Sequence, residues 1–329
     1  MKITTVSHSH IALRQQLFFR EVARQGHEVL MIAPGEWRDL RDRDYNLGSD
    51  WPRGSFQFRT CRHIGGEDIY NYRLLGARDL VEDFQPDWVY VQAEPGSALV
   101  EEAISWKVDK RALFTWENID IKGEGPLQLP KYDLVICGNP DAEDLVKPHN
   151  PHTALMLQVG VDTDHFQARP GIERDIVVAY VGRVTPEKGL PYLKEAWPGV
   201  RVMDWKDFLE LPWSYSQIQV LVAYSQDMPW WREQAPNYVV LEALSCGGKA
   251  VVSDTPAMEY WLRDCPGVVI VKGHEQYDKG LHWERVTWLR EGIKKALEVD
   301  LHSEGRQWVI NNFSNVVMAK KLLGVLEDA

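Results

Sequence analysis

Apolar residues along the chain gather into short β-branched runs that alternate with stretches of helical spacing. Lys2 to Ser7 is the first run; Leu13, Leu17, Phe18 and Val22 then recur at helical intervals up to Gln25, Gly26 stops them, and Glu28 to Ala33 is a second run. This predicts a βαβ unit. Residues 34 to 66 are rich in Arg and Asp and show no period, which predicts a long, partly irregular surface segment. Helical spacing resumes over Arg73 to Phe84 and Ala98 to Lys107, and strands are expected at Trp88 to Gln92, Ala112 to Thr115 and Leu134 to Cys137. Such alternation implies a doubly wound parallel α/β sheet.

The pattern then restarts. Leu155 to Val161 runs out through Asp162-Thr163-Asp164-His165-Phe166 and Pro170-Gly171, a polar link that places a domain boundary between about Gln158 and Gly171. Ile176 to Val181, Val200 to Met203, Val220 to Ala223, Ala250 to Ser253 and Val268 to Val271 predict a second α/β sheet. Trp283 to Leu326 reads as helix with breaks at Ser303 and Ser314.

At 329 residues the chain has room for two domains with a core each. A formal charge of -11 argues against a non-specific grip on nucleic acid, which needs clustered Lys and Arg. Cys61, Cys137, Cys246 and Cys265 lack metal-ligand spacing and read as buried thiols of a reducing compartment, with no structural zinc. The N-terminus has no apolar core of the signal-peptide kind, and no window reaches about eighteen apolar residues. A cytoplasmic protein is the expectation.

Candidate chemistry concentrates in two stretches. From Tyr224 to Asp254 a strand end gives way to a loop with Trp230, Trp231, Glu233 and Gln234, then to a helix that Asn237 can cap and Gly247 can stop. The first turn of such a helix has unpaired N–H groups and a partial positive charge worth ~0.3–1 kcal/mol to an anion, which suits a phosphate. Glu242 is placed to accept hydrogen bonds from a diol such as a ribose. In Gly182 to Leu190, Arg183 and Lys188 flank a helix start marked by Thr185-Pro186, an arrangement able to clamp a diphosphate.

Other candidates lie at strand ends, where ligands of open α/β sheets bind. These are Glu94-Pro95-Gly96-Ser97, Trp116-Glu117-Asn118 and Gly138-Asn139. After the first strand, Ser7-His8-Ser9-His10 stands where a dinucleotide fingerprint would need GxGxxG, so a nicotinamide or flavin site has no support. His8 and His10 either face a cleft or punctuate a turn.

YVGRVTPEKGL, VVLEALSCGGKAVVSD, LQVGVDTDHF and GNPDAEDLV, joined by FTWENI and VQAEPGS, together resemble the retaining nucleotide-sugar glycosyltransferases of family four over nearly the whole length. The resemblance implies the GT-B fold, two Rossmann-like doubly wound domains facing each other across a cleft. Residues 1–160 would form the acceptor-side domain, 161–308 the donor domain, and 309–329 a helix crossing back to the first. It implies that Arg183 and Lys188 bind the donor diphosphate, that Glu242 holds the ribose hydroxyls, and that Glu233, Gln234, Pro236, Asn237 and Tyr238 complete the donor site.

The chain also departs from that family. Where a second acidic residue usually stands, eight positions before Glu242, it has Gln234, with Glu233 adjacent; a Gln exchanges hydrogen bonds with hydroxyls but carries no charge. The glycine pair after the first strand is absent, and no His follows Thr115, leaving Glu117 or Asn118 for the contact near the reacting carbon. The departing phosphate or a cleft carboxylate, Glu94 or Glu117, would assist acceptor deprotonation, and His8, His10 and Trp116 are further cleft candidates. The short stretch from Met203 to Ile218 predicts a pared-down base pocket.

The implied activity is metal-independent, configuration-retaining transfer from a nucleotide diphosphate sugar, a co-substrate with no further cofactor. A saccharide, protein or modified base is a more expected acceptor than a lipid. The rivals are a nucleotide-sugar epimerase of the same fold and a non-catalytic nucleotide-sugar binding protein, with a dinucleotide-dependent oxidoreductase weakest.

Overall fold

The structure is a computed structural model that describes residues 1–37, 51–53, 55–120, 125–203, 207–228, 230–273, 280–299 and 302–329. The chain divides into two compact units, Met1–Gly160 with Met318–Ala329, and Val161–Val317.

The first unit is built on a nine-stranded sheet. Its strands are β1 (Lys2–Val6), β2 (Glu28–Pro34), β3 (Trp51–Arg53), β4 (Phe56–Ile64), β5 (Arg73–Leu75), β6 (Trp88–Gln92), β7 (Lys110–Thr115), β8 (Leu134–Cys137) and β9 (Thr153–Leu155). The order is β3-β4-β2-β1-β6-β7-β8-β9, with β5 against β4, and all pairings are parallel except those of β3 and β5 with β4. Val89, Tyr90 and Val91 are all buried, as are Leu113, Phe114, Val135 and Ile136. Such unbroken apolar runs mark parallel strands covered on both faces. The helix Leu13–Arg24 contributes Phe18, Phe19 and Val22 to that core.

Two expectations fail here. The supposedly irregular segment 34 to 66 contains β4, paired in parallel with β2 from Val29↔Phe56 to Pro34↔Cys61. Only Phe58 and Cys61 of β4 are buried, so Arg59, Arg62 and His63 dilute its alternation; residues 38–50 of the segment lie outside the described residues. The helix expected from Arg73 starts at Ala77 instead. Arg73–Leu75 pairs antiparallel with β4, and Gly76 turns the chain with φ 84, left-handed backbone that a helix interior does not take.

The second unit carries a five-stranded parallel sheet. Its strands are β10 (Ile176–Val181), β11 (Arg201–Met203), β12 (Ile218–Ala223), β13 (Lys249–Ser253) and β14 (Val268–Val271), in the order β11-β10-β12-β13-β14. Tyr180, Leu193, Val220, Val222, Val251, Leu289 and Ile293 belong to one buried cluster. Between β11 and β12 the described residues hold one helix, Leu211–Ser216. The helical tail breaks at Ser314, where Asn315 N–H donates to the Val161 carbonyl. It does not break at Ser303, which lies inside the helix His302–Phe313. The earlier stop is at Val299, because the buried Lys249 ammonium donates to the Leu297 and Val299 carbonyls (3.4 and 2.6 Å) and satisfies the helix end. No helix among the described residues is long and apolar enough to cross a membrane.

Both sheets reverse winding at a defined strand. In the first unit β1 lies between β2 and β6; in the second β10 lies between β11 and β12. The loops leaving the C-terminal ends of β1, β6, β10 and β12 therefore open at switch points, where this class of sheet leaves room for a ligand.

Candidate functional site

In the second unit the loops after β10 and β12 are tied together by Gln226 N–H donating to the Glu187 carbonyl (2.8 Å). Thr185-Pro186 opens a single 3-10 turn, Pro186–Lys188, and the α-helix begins at Leu190. The expected Thr185 cap is not made: its hydroxyl donates to the Glu187 carboxylate (2.5 Å). Turning towards the Glu187 carboxylate directs the hydroxyl to a local partner instead of the helix-start amides.

Lys188 and Glu233 form the centre of this region. The Lys188 ammonium lies 2.7 Å from Glu233 Oε2 and 4.5 Å from the centroid of the Trp231 ring, so it is held by an ion pair and an aromatic face together. The Ser225 hydroxyl (2.5 Å) and the Asn237 amide (3.0 Å) donate to the same carboxylate oxygen. Asn237 does occupy the position before the helix Tyr238–Ser245, but it makes no side-chain cap. Its backbone takes φ 53, and its amide turns to Glu233 rather than to the helix amides.

A cavity of about 170 Å³ opens beside this cluster, lined by Gly182, Arg183, Lys188, Ser225, Asn237 and Val239 among others. The Arg183 side chain is exposed and makes no hydrogen bond or ion pair among the described residues. Pro236 is buried, while Gln234 and Tyr238 are half-buried and do not line the cavity. Glu242 is 1% exposed and accepts from the Tyr215 hydroxyl at 3.0 Å. It is absent from the cavity lining, so the carboxylate expected to face a ribose is directed to a core tyrosine. Trp230 is 73% exposed, and its neighbour Trp231 lies under Lys188.

In the first unit the expected residues separate into three environments. His10 is fully buried: its Nε2 meets the Thr5 hydroxyl at 2.7 Å and its ring packs edge-on against Phe19 at 5.3 Å. Burial, and then the nearby His8, hold its pKa well below the usual value. It is a core histidine. His8, two residues away in the same 3-10 turn, instead lines a cavity of about 200 Å³ with Gln92, Glu94, Phe114, Trp116 and Gln158. Its ring packs near Trp37 (5.0 Å) and Tyr72 (5.5 Å), and burial lowers its pKa to about 4.

Glu94 is fixed by the segment it faces. Its Oε2 accepts from the Thr115 hydroxyl (2.5 Å) and from the backbone N–H groups of Trp116 (3.2 Å) and Glu117 (3.0 Å). Desolvation outweighs these bonds and raises its pKa above the usual carboxylate value. Trp116 packs edge-on against Phe114, and Gly138 lies so close to the indole that a Cβ there would collide with it. Glu117 lines a different cavity, of about 80 Å³, with Thr115, Asp120 and His149, so the two carboxylate candidates occupy different places. Asn118 is buried. All four cysteines are free and buried, and burial pushes the Cys137 and Cys246 thiols up to about 12.

Sequence reasoning missed Ser225, Tyr215, Gln92 and Gln158. Ser225 and Gln92 stand at or just past a strand end, a position that marks them once the switch point is known. Nothing local distinguishes Tyr215 or Gln158.

Among solved structures, the chain matches a sucrose-phosphate synthase from Thermosynechococcus elongatus with a TM-score of 0.71 at 12% identity, over 99% of this chain and 98% of that one. It also matches a glycosyltransferase from Rickettsia africae (0.68, 13%, 100% and 99%). The fold is GT-B. Another GT-B structure, Anabaena HepE in complex with UDP and glucose, aligns with a TM-score of 0.64 at 12% identity over 100% of both chains. No protein-family model matches the chain, and neither does any curated protein.

Proposed function

We propose that this GT-B chain moves a sugar from a nucleoside diphosphate sugar to an acceptor hydroxyl, with retention of anomeric configuration and without a metal ion. The observation that carries the reading is the cavity at the β10/β12 switch point, where Arg183 and Lys188 stand beside the first turn of the helix Tyr238–Ser245. Breaking the bond from the anomeric carbon to the β-phosphate leaves negative charge on the departing diphosphate. A guanidinium fork, a positioned ammonium and unpaired helix N–H groups stabilise that charge, and losing one such contact typically costs ~3 kcal/mol of transition-state stabilisation. HepE, which was solved with UDP-glucose, and a pneumococcal O-GlcNAc transferase, solved with UDP and GlcNAc, support a nucleotide-sugar donor by analogy of fold.

Glu233, an acidic side chain one residue before Gln234, anchors Lys188 in the cluster, and we assign it the acidic position of the donor site. Glu94 is the residue we assign to take the acceptor proton, because burial raises its basicity and its cavity also contains Trp116.

The test is to supply UDP-glucose and other nucleoside diphosphate sugars, an acceptor mixture and a chelator, and then to read products by mass and anomeric NMR. Glycoside with the donor's configuration, formed with chelator present, is the expected result. An inverted linkage or an absolute divalent-ion requirement contradicts the mechanism, and a new sugar epimer from donor alone identifies an isomerase.

A further inference from the structure

The first unit's cavity carries information about what is glycosylated, and this inference rests on the transferase reading above. We infer that it takes an uncharged, hydroxyl-bearing single ring, with Gln92 and Gln158 reading the hydroxyls against the wall formed by Trp116.

Size is the first reason. At about 200 Å³ the cavity is smaller than the ~300–1,000 Å³ of sites for drug-sized ligands, and it has room within it for one ring. The wall is rigid: Phe114 and Gly138 fix the Trp116 indole, and Trp116 Nε1 donates to Gln158 Oε1 (3.3 Å). Gln158 Nε2 then donates to Gln92 Oε1 (3.1 Å).

This relay ends in an unused donor. Gln92 is 2% exposed, and its Nε2 has no partner among the described residues; the same is true of His8 Nδ1 across the cavity. A buried N–H without an acceptor is costly, so the cavity favours a group that accepts from Gln92. A hydroxyl accepts and donates, whereas an ammonium only donates and leaves Gln92 unsatisfied.

Charge removes the remaining class. None of the described residues lining the cavity is Lys or Arg, and Glu94 supplies a carboxylate. Burial first, and then Glu117, Glu94, Asp68 and Asp120, push the nearby Tyr70 phenol up, so these carboxylates lie on this side of the unit. A phosphate or carboxylate brought into the cavity meets like charge, with no cation among the described lining residues to offset the loss of its hydration.

The experiment is saturation-transfer NMR on the full chain with methyl glucoside, methyl mannoside and methyl galactoside as uncharged probes. Glucuronate and mannose phosphate are the charged ones. At least one uncharged probe is expected to bind, about tenfold more weakly in Gln92→Leu and in Gln158→Leu, the loss of roughly one hydrogen bond, while the charged probes give no signal. Gln158 is half-buried, so Gln158→Leu carries the test where Gln92→Leu does not fold.

Equal binding of charged probes, no binding of any uncharged probe, or binding unmoved in folded Gln158→Leu overturns the inference. The two readings fail separately. Transfer onto charged acceptors alone removes the ring specificity and leaves the transferase, whereas Gln158-dependent glycoside binding without turnover of any nucleotide sugar does the reverse.

Discussion

The ammonium of Lys188 and the carboxylate of Glu233 lie 2.7 Å apart, with the carboxylate almost wholly buried and shared by Ser225 and Asn237. The pair joins the loops after β10 and β12. The side chain expected to hold phosphate is thus already positioned, whereas Arg183 has no competing partner among the described residues. Stability and binding should separate between these two cations.

Lys188→Ala leaves Glu233 charged and buried, and is expected to cost about 3 kcal/mol in urea unfolding. Combining Lys188→Ala with Glu233→Gln should recover most of that loss, because the double variant strands no charge. Strictly additive losses would show that the two side chains do not act as a pair. Arg183→Ala, by contrast, should leave stability within about 0.5 kcal/mol of the parent.

Gly138→Ala inserts a methyl group against the Trp116 indole. We expect a loss of ~1–3 kcal/mol in thermal unfolding and weaker acceptor use, with nucleotide affinity unchanged. A fall in nucleotide affinity as large as the fall in acceptor use would contradict the placement of Trp116.

Tyr215→Phe removes the hydroxyl that Glu242 accepts from. A buried carboxylate that loses a donor should cost about 1–3 kcal/mol, read as a lower urea midpoint. No change would show that Glu242 does not depend on this bond.

The buried histidines predict an acid-side loss of stability. Burial lowers the His8 pKa from 6.5 to about 4, so over that interval the unfolded chain binds a proton that the folded chain refuses. Stability is fully present above 6.5 and falls as the pH drops towards 4, by at most ~3 kcal/mol for His8. His10 acts in the same direction. Glu94, whose pKa is raised, acts oppositely: its folded form takes up a proton first and regains stability as pH falls. Urea midpoints measured across this interval should fall with pH, and His8→Phe should flatten the slope; an unchanged slope would contradict the assignment.

Much of this architecture could be read from the chain, because fully buried parallel strands leave unbroken apolar runs. Trp88–Gln92, Leu134–Cys137, Ile176–Val181 and Val268–Val271 begin and end where their residues suggest. The strand β4 was hidden by its own position near the sheet edge, where Arg59 and Arg62 replace the apolar signal. Arg183, Lys188 and Asn237 were legible as a group because loop and helix-start motifs are local in sequence. Their bonding was not: Lys188 and Glu233 are 45 positions apart, and spacing alone cannot show that one neutralises the other. Glu242 accepts from Tyr215, 27 positions away, a pairing that spacing does not show. His8 and His10 look equivalent in sequence, and only the packing of Phe19 and Thr5 around one of them assigns it to the core.

The most direct test of the central claim, that Arg183 and Lys188 grip a diphosphate, is calorimetric titration of the full chain and of Arg183→Ala with UDP, GDP, ADP and the matching monophosphates. One diphosphate is expected to bind more tightly than its monophosphate, and Arg183→Ala to lose that preference by about tenfold or more while remaining folded. Absence of binding by every diphosphate, or binding by folded Arg183→Ala as tight as the parent's, would rule out the grip.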